Sequence, residues 1–142
     1  MDTYSEKLLR GIPNKKEFLD DEGRVKQALF QFSDKPRETD GFYDLSVNWW
    51  DNEDALSILM NQRKSDGNEF QFKAGAAVIQ RDYLDELVRR PNSSSELFYE
   101  RRQIPDNVYH GNIVCKSSSK ERQSLFRASL AMTCVVDIIE RP

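Results

Sequence analysis

Reactive side chains are what this sequence has least of. Its 142 residues include one histidine, His110, and two cysteines, Cys115 and Cys134. Neither cysteine has a second Cys or a His at zinc-ligand spacing, so no structural metal is expected. Two thiols suit a reduced cytoplasmic protein better than a disulfide scaffold, and the amino-terminal Met-Asp-Thr-Tyr-Ser-Glu-Lys has none of the apolar character of a signal peptide. No apolar run approaches membrane-spanning length, so no membrane partner is expected. No glycine-rich phosphate loop joins a strand to a helix, which argues against a doubly wound nucleotide-binding fold; no cofactor is expected. Strong charge of one sign is missing too. The net charge is −3, with 10 Lys+Arg against 15 Asp+Glu in residues 1–70 and 11 against 9 in residues 71–142. Neither half offers the cationic patch that duplex DNA requires, whereas RNA or a nucleotide stays open as a ligand.

What is present is enough for a core. Hydrophobic residues make up 38% and charged residues 32%, and aromatic residues are spread along the chain, which is polar but not a disorder signature. Residues 5–12 form a strand candidate that carries Arg10 and stops at Pro13-Asn14. An acidic loop follows around Phe18, and residues 25–32 fit helical and strand periods equally. Residues 33–41 are a polar loop long enough to be mobile. Phe42 to Trp50 is the clearest strand: Leu45, Val47 and Trp49 alternate with Asp44, Ser46 and Asn48, so one face is core and the other is wet or lines a cleft. Asp51 or Asn52 should cap a helix running to about Lys64, and Asp66-Gly67-Asn68 should turn the chain. A long strand is expected over residues 69–79, with Phe70, Phe72, Ala74, Ala76 and Val78 inward. A helix from Arg81 and a strand over residues 97–103 follow, linked by a loop over residues 91–95.

The stretch from Ile104 to Met132 is the richest. Pro105-Asp106-Asn107 is turn chemistry, because proline fixes φ while Asp and Asn can bond their own backbone or tolerate left-handed geometry. The strand that follows places Val108, His110, Asn112 and Val114 on one face, and Gly111 on the other marks a bulge or a close approach. Ser118 with Glu121 fits a capping box. The helix beyond it reads to Met132, with Leu125, Ala128, Met132, Val135 and Ile139 as one face, while Val135 to Ile139 could equally be a strand. These elements imply a single α+β domain over residues 1–142. Its sheet should be mixed, mostly antiparallel, of four or five strands, with three or four short helices on one face.

Arg24-Val25 with Ala28-Leu29-Phe30, then Leu45-Ser46-Val47, Asn107-x-x-His110-x-x-Ile113 and a basic helix bearing Leu130-Ala131 resemble a family of small uncharacterised bacterial proteins. The resemblance implies no reaction, but points to Arg24, Ser46 and His110.

Two functions compete. The leading expectation is a non-enzymatic, cytoplasmic accessory or adaptor subunit that binds a protein partner through Trp50, Phe42 and Tyr43. The alternative is a small hydrolase or transferase acting on a nucleotide or RNA phosphate. There His110 would be general acid or base, since only imidazole exchanges protons near neutrality unaided, and Arg101, Arg102, Lys120 and Arg10 would hold the anion. The serines and cations at the start of the last helix could hold an anion as well as cap it. The cysteines lie in apolar runs where thiols are inert, and the acidic groups Asp20-Asp21-Glu22 and Glu53-Asp54 read as solvated. A homodimer through the edge of the 96–103 strand is a third expectation.

Overall fold

A computed structural model of the chain describes residues 6–91, 93 and 95–141. The expected strand start at Ser5 lies outside the described residues, as do Asn92 and Ser94 of the expected loop. Among the described residues six strands form one sheet: β1 (Lys7–Ile12), β2 (Tyr43–Trp49), β3 (Gly75–Gln80), β4 (Leu97–Arg101), β5 (His110–Cys115) and β6 (Val135–Ile139). Their order is β4-β5-β2-β1-β3-β6, and every neighbouring pair is antiparallel. Four helices accompany them: α1 (Lys15–Phe18), α2 (Glu53–Met60), α3 (Arg81–Arg89) and α4 (Lys120–Ser129). The α+β class is as expected, but there are six strands rather than four or five. The additional one is β6, in the β-branched run whose period left helix and strand open. Among the described residues no helix is long and apolar enough to cross a membrane.

Alternation sets the layers. Leu8 and Ile12 of β1, Leu45, Val47 and Trp49 of β2, and Ile113 and Cys115 of β5 point to one side. There they meet Leu84 and Leu87 of α3, Phe126 of α4, and Leu29 and Phe30 of a 3-10 turn over Gln27–Phe30. Leu9, Ala76 and Val78 point the other way and are covered by Leu59 of α2, with Leu56, Met60, Trp50, Phe72 and Ile139 around them. Helices therefore lie on both faces, not on one. The physical reason is β3, whose Ala-Ala-Val-Ile run is buried on both sides and needs a cover on each. Phe70 and Phe72 precede that strand instead of belonging to it.

Three other local expectations shift. Helix α2 stops at Met60 because residues 62–71 pair with one another: Gln71 N–H donates to Gln62 O at 2.9 Å and Lys64 N–H to Glu69 O at 2.9 Å, around Gly67 at φ +75°. Its cap is Asn52, whose side chain accepts from Ala55 N–H. Helix α4 is capped by Ser119, which accepts from Arg122 N–H at 3.2 Å, one residue later than the expected Ser118. Its buried face is Phe126, continued by Leu130 and Cys134 through a π-helical turn over Leu130–Cys134, while Leu125 and Met132 are 52% and 82% exposed. The four-residue spacing from Phe126 wins because it delivers Cys134 into the core just before β6 begins.

Candidate functional site

The sheet is two three-stranded halves joined at a narrow seam. Strands β1 and β3 pair along six residues, whereas β1 and β2 pair only at Leu8↔Trp49 and Leu9↔Asn48. Beyond Leu9 the strands part, and the side chain of Arg10 fills the gap. Its Nε donates to Leu29 O at 3.0 Å and its Nη1 to Ser46 O at 2.9 Å, so a guanidinium N–H takes the place of a ladder amide. Among the described residues no carboxylate lies within ion-pair distance of Arg10. Burial away from water disfavours its charge and pushes its pKa down to about 10. The Arg10 side chain therefore reaches a polar site across the sheet rather than running out into solvent.

The seam opens into a cleft of about 320 Å³, walled by Leu59 and Phe72 and lined also by Arg10, Ser46, Gln71 and His110. Gly11 makes the wall: a Cβ there would fall 2.4 Å from Cγ of Phe72, so the ring lies against bare backbone. His110 opens β5 and is placed by the loop before it. In that loop Ile104-Pro105-Asp106-Asn107 is a tight turn with Asn107 N–H donating to Ile104 O at 3.1 Å and Asp106 at φ +70°, the left-handed geometry expected of it. Asn107 is only 3% exposed; its Nδ2 donates to Asn48 Oδ1 at 3.0 Å, and Asn48 Nδ2 donates to Ala55 O at 3.4 Å. This buried amide chain ties the loop to β2 and to the start of α2.

The imidazole makes two polar contacts. Nδ1 is 2.9 Å from Arg102 O, and Nε2 is 3.3 Å from Ser46 Oγ. A carbonyl can only accept, so Nδ1 carries the hydrogen in the neutral ring and Nε2 presents its lone pair to Ser46. Ser46 and His110 thus meet diagonally across β2 and β5, as the alternation of both strands allows.

On the same face, the 33–41 loop is strapped down. Arg37, whose side chain is only 10% exposed, donates from Nε to Asp44 at 2.6 Å and from Nη2 to Glu100 at 2.5 Å, and its Nη1 lies 3.2 Å from Asp40. Since Asp44 is on β2 and Glu100 on β4, the guanidinium straddles β5 at the level of the buried Asn112 and Val114. Burial alone would lower the Arg37 pKa, but Glu100 and Asp44 outweigh it and raise it. The loop expected to be mobile is therefore ion-paired across three strands. At its end the ring of Phe42 meets Phe98 edge-on at 6.1 Å, and Lys116 Nζ stands 5.5 and 5.6 Å from the two ring centroids.

The structure gathers some of the expected site residues and separates others. Arg10, Ser46 and His110 share the cleft, and Arg102 joins Ser46 and His110 around an adjoining hollow of about 450 Å³. Arg101 points to the opposite face, where it pairs with Asp51 and lies over the Trp49 ring. Lys120 belongs to α4 on that other face, and neighbouring Arg122 pairs with Glu96 at 2.8 Å. Arg24 is held in ion pairs with Asp20 and Glu22 on its own turn. Phe42, Tyr43 and Trp50 form no single patch: Tyr43 packs on the main core, and Trp50 packs under α2 at the far end of β2. Protein-family models, curated proteins and solved structures give no match to this chain.

Cys115 and Cys134 are buried, and desolvation raises both thiol pKa values, which keeps them protonated and unreactive. Among the described residues no group of three or more His, Cys, Asp or Glu side chains is placed to hold a metal ion. Asn48, Asn107 and Arg37 were not singled out from the sequence. An Asn on the wet face of a strand, matched by an Asn in a proline turn, was the available signal for the first two. Arg37 gave none, because the bond that makes it a strap goes to Glu100, which is distant in sequence.

Proposed function

We propose that this chain is a non-enzymatic accessory or adaptor domain, bacterial and cytoplasmic, that docks a protein partner on the β4–β5–β2 half of the sheet face crossed by Arg37. The observation that carries the reading is the Arg37 strap. It fixes Asp40, Asp44 and Glu100, each about one-third exposed, beside the Phe42–Phe98 pair with Lys116 above it. Charges of both signs held in place suit a complementary protein surface, where they set register and partner choice, better than a polyanion. The test compares immobilised wild-type chain with Phe98→Ser and Lys116→Glu variants for partner retention from native lysate. Retention by wild type and loss by both variants, at unchanged melting temperature, supports the proposal. A wild-type chain that is monomeric and retains nothing overturns it. Self-association through the β4 edge is a separate outcome, read by sedimentation.

One specific observation favours a second reading. A serine hydroxyl 3.3 Å from a histidine nitrogen, with the other ring nitrogen oriented by a carbonyl, is the arrangement by which a base takes a proton from a nucleophile. It supports a small hydrolase or transferase acting on a nucleotide or RNA phosphate, with Ser46 as nucleophile and His110 as general base. Ser46 sits mid-strand opposite Asn112, and its own carbonyl accepts from Arg10, which leaves the surrounding backbone committed to the sheet. That is why this reading ranks second. Turnover of a nucleotide phosphoester that disappears in both Ser46→Ala and His110→Gln would reverse the ranking.

A further inference from the structure

We infer that the seam cleft is a binding site for a small organic monocarboxylate, its carboxylate drawn to the Arg10 guanidinium and its apolar body laid against Leu59 and Phe72. The inference goes beyond a protein-docking role and does not depend on it.

Three observations carry it. Arg10 is a half-buried cation whose two observed hydrogen bonds go to carbonyl oxygens, Leu29 O and Ser46 O; partial dipoles answer its charge where a carboxylate would normally do so. Among the described residues that line the cleft, none is Asp or Glu. Its other polar groups are neutral, and the amides of Gln62 and Gln71 among them can donate hydrogen bonds to an anion. One uncompensated positive charge calls for one negative charge, so a monoanion fits where a phosphate dianion would bring an excess.

Shape gives the rest of the ligand. The remaining walls are apolar, with Phe72 held flat against Gly11 and Leu59 presented by α2, and the cavity of about 320 Å³ admits a short chain or a single ring. Ile104, which is 42% exposed, stands where this cleft meets two shallower hollows and would cover the apolar end of the ligand.

The test is a titration of the whole isotope-labelled chain by nuclear magnetic resonance at fixed ionic strength, with acetate, butyrate, hexanoate, hexanamide and inorganic phosphate as probes. Saturable shifts at Gly11, Gln71 and His110 are expected with butyrate and hexanoate, with affinity rising about fourfold per added methylene while the cleft has room. Hexanamide should bind at least tenfold more weakly than hexanoate. Arg10→Met should weaken hexanoate at least tenfold, and Arg10→Lys should recover part of the loss. Linear shifts that never saturate overturn the inference, as does hexanamide binding as well as hexanoate. Phosphate binding more tightly than hexanoate overturns it equally. The acid and amide comparison is made on wild-type protein, so the result stands even if the Arg10 variants do not fold.

Discussion

Gly111→Ala tests how tightly the site strand is packed. A Cβ at position 111 would lie 2.0 Å from Cζ3 of Trp49 and 2.5 Å from the carbonyl oxygen of Glu100. Ordinary contact begins near 3.4 Å, so the indole would have to retreat by roughly 1.4 Å, and it is held by Tyr99 at a centroid distance of 5.9 Å and by Arg101 on its face. The Glu100 oxygen belongs to the adjacent strand and cannot swing aside; β4 itself would have to move. Overpacking of this kind costs about 1–3 kcal/mol for a flexible neighbour, and the rigid backbone contact places this substitution at about 3 kcal/mol or more. For a domain with total stability of about 5–15 kcal/mol that is a large loss, read as a fall in urea midpoint at unchanged slope. Trp49→Leu should recover part of the deficit in the double variant, because it removes the ring but leaves the carbonyl. A Gly111→Ala protein within about 0.5 kcal/mol of wild type, a typical value for an uncrowded surface site, would refute the reasoning.

Three further outcomes follow from the same geometry. Ser119→Ala should destabilise by about 1 kcal/mol through loss of the α4 cap, while Ser118→Ala stays within about 0.5 kcal/mol in the same denaturant series. Asn107→Ala leaves Asn48 Oδ1 without its buried donor and should cost about 1–3 kcal/mol, and the loop before His110 should show faster hydrogen exchange. Cys115 and Cys134 have folded pKa values raised by desolvation from an ordinary value near 9. The unfolded chain therefore loses those protons first, and stability is fully present below about pH 9 and falls as pH rises above it; replacing both thiols with alanine should flatten that limb of the pH–stability curve.

The sequence by itself determined much of the local structure, because the signals for it are local. The alternation of Leu45, Val47 and Trp49 named β2, Asp106 after a proline marked a turn with left-handed geometry as one of its two options, and Gly111 in mid-strand marked a bulge or a close neighbour, of which the structure has the neighbour. It also offered His110 with a set of four cations, Arg10 among them, while Ser46 came only from the family resemblance; the fold is what brings Arg10, Ser46 and His110 to one cleft. What it could not decide was anything settled by which strands meet. Arg101 and Arg102 are adjacent in sequence yet face opposite layers, and only the pairing of β4 with β5 says which one shares the histidine's side. The Arg37 strap and the Asn107–Asn48 pair join residues about sixty positions apart, and no periodicity encodes such a pairing. The cleft is the clearest case. It exists because β1 and β2 part after two paired residues and a guanidinium fills the gap, an outcome of whole-sheet packing that no single stretch of the chain specifies.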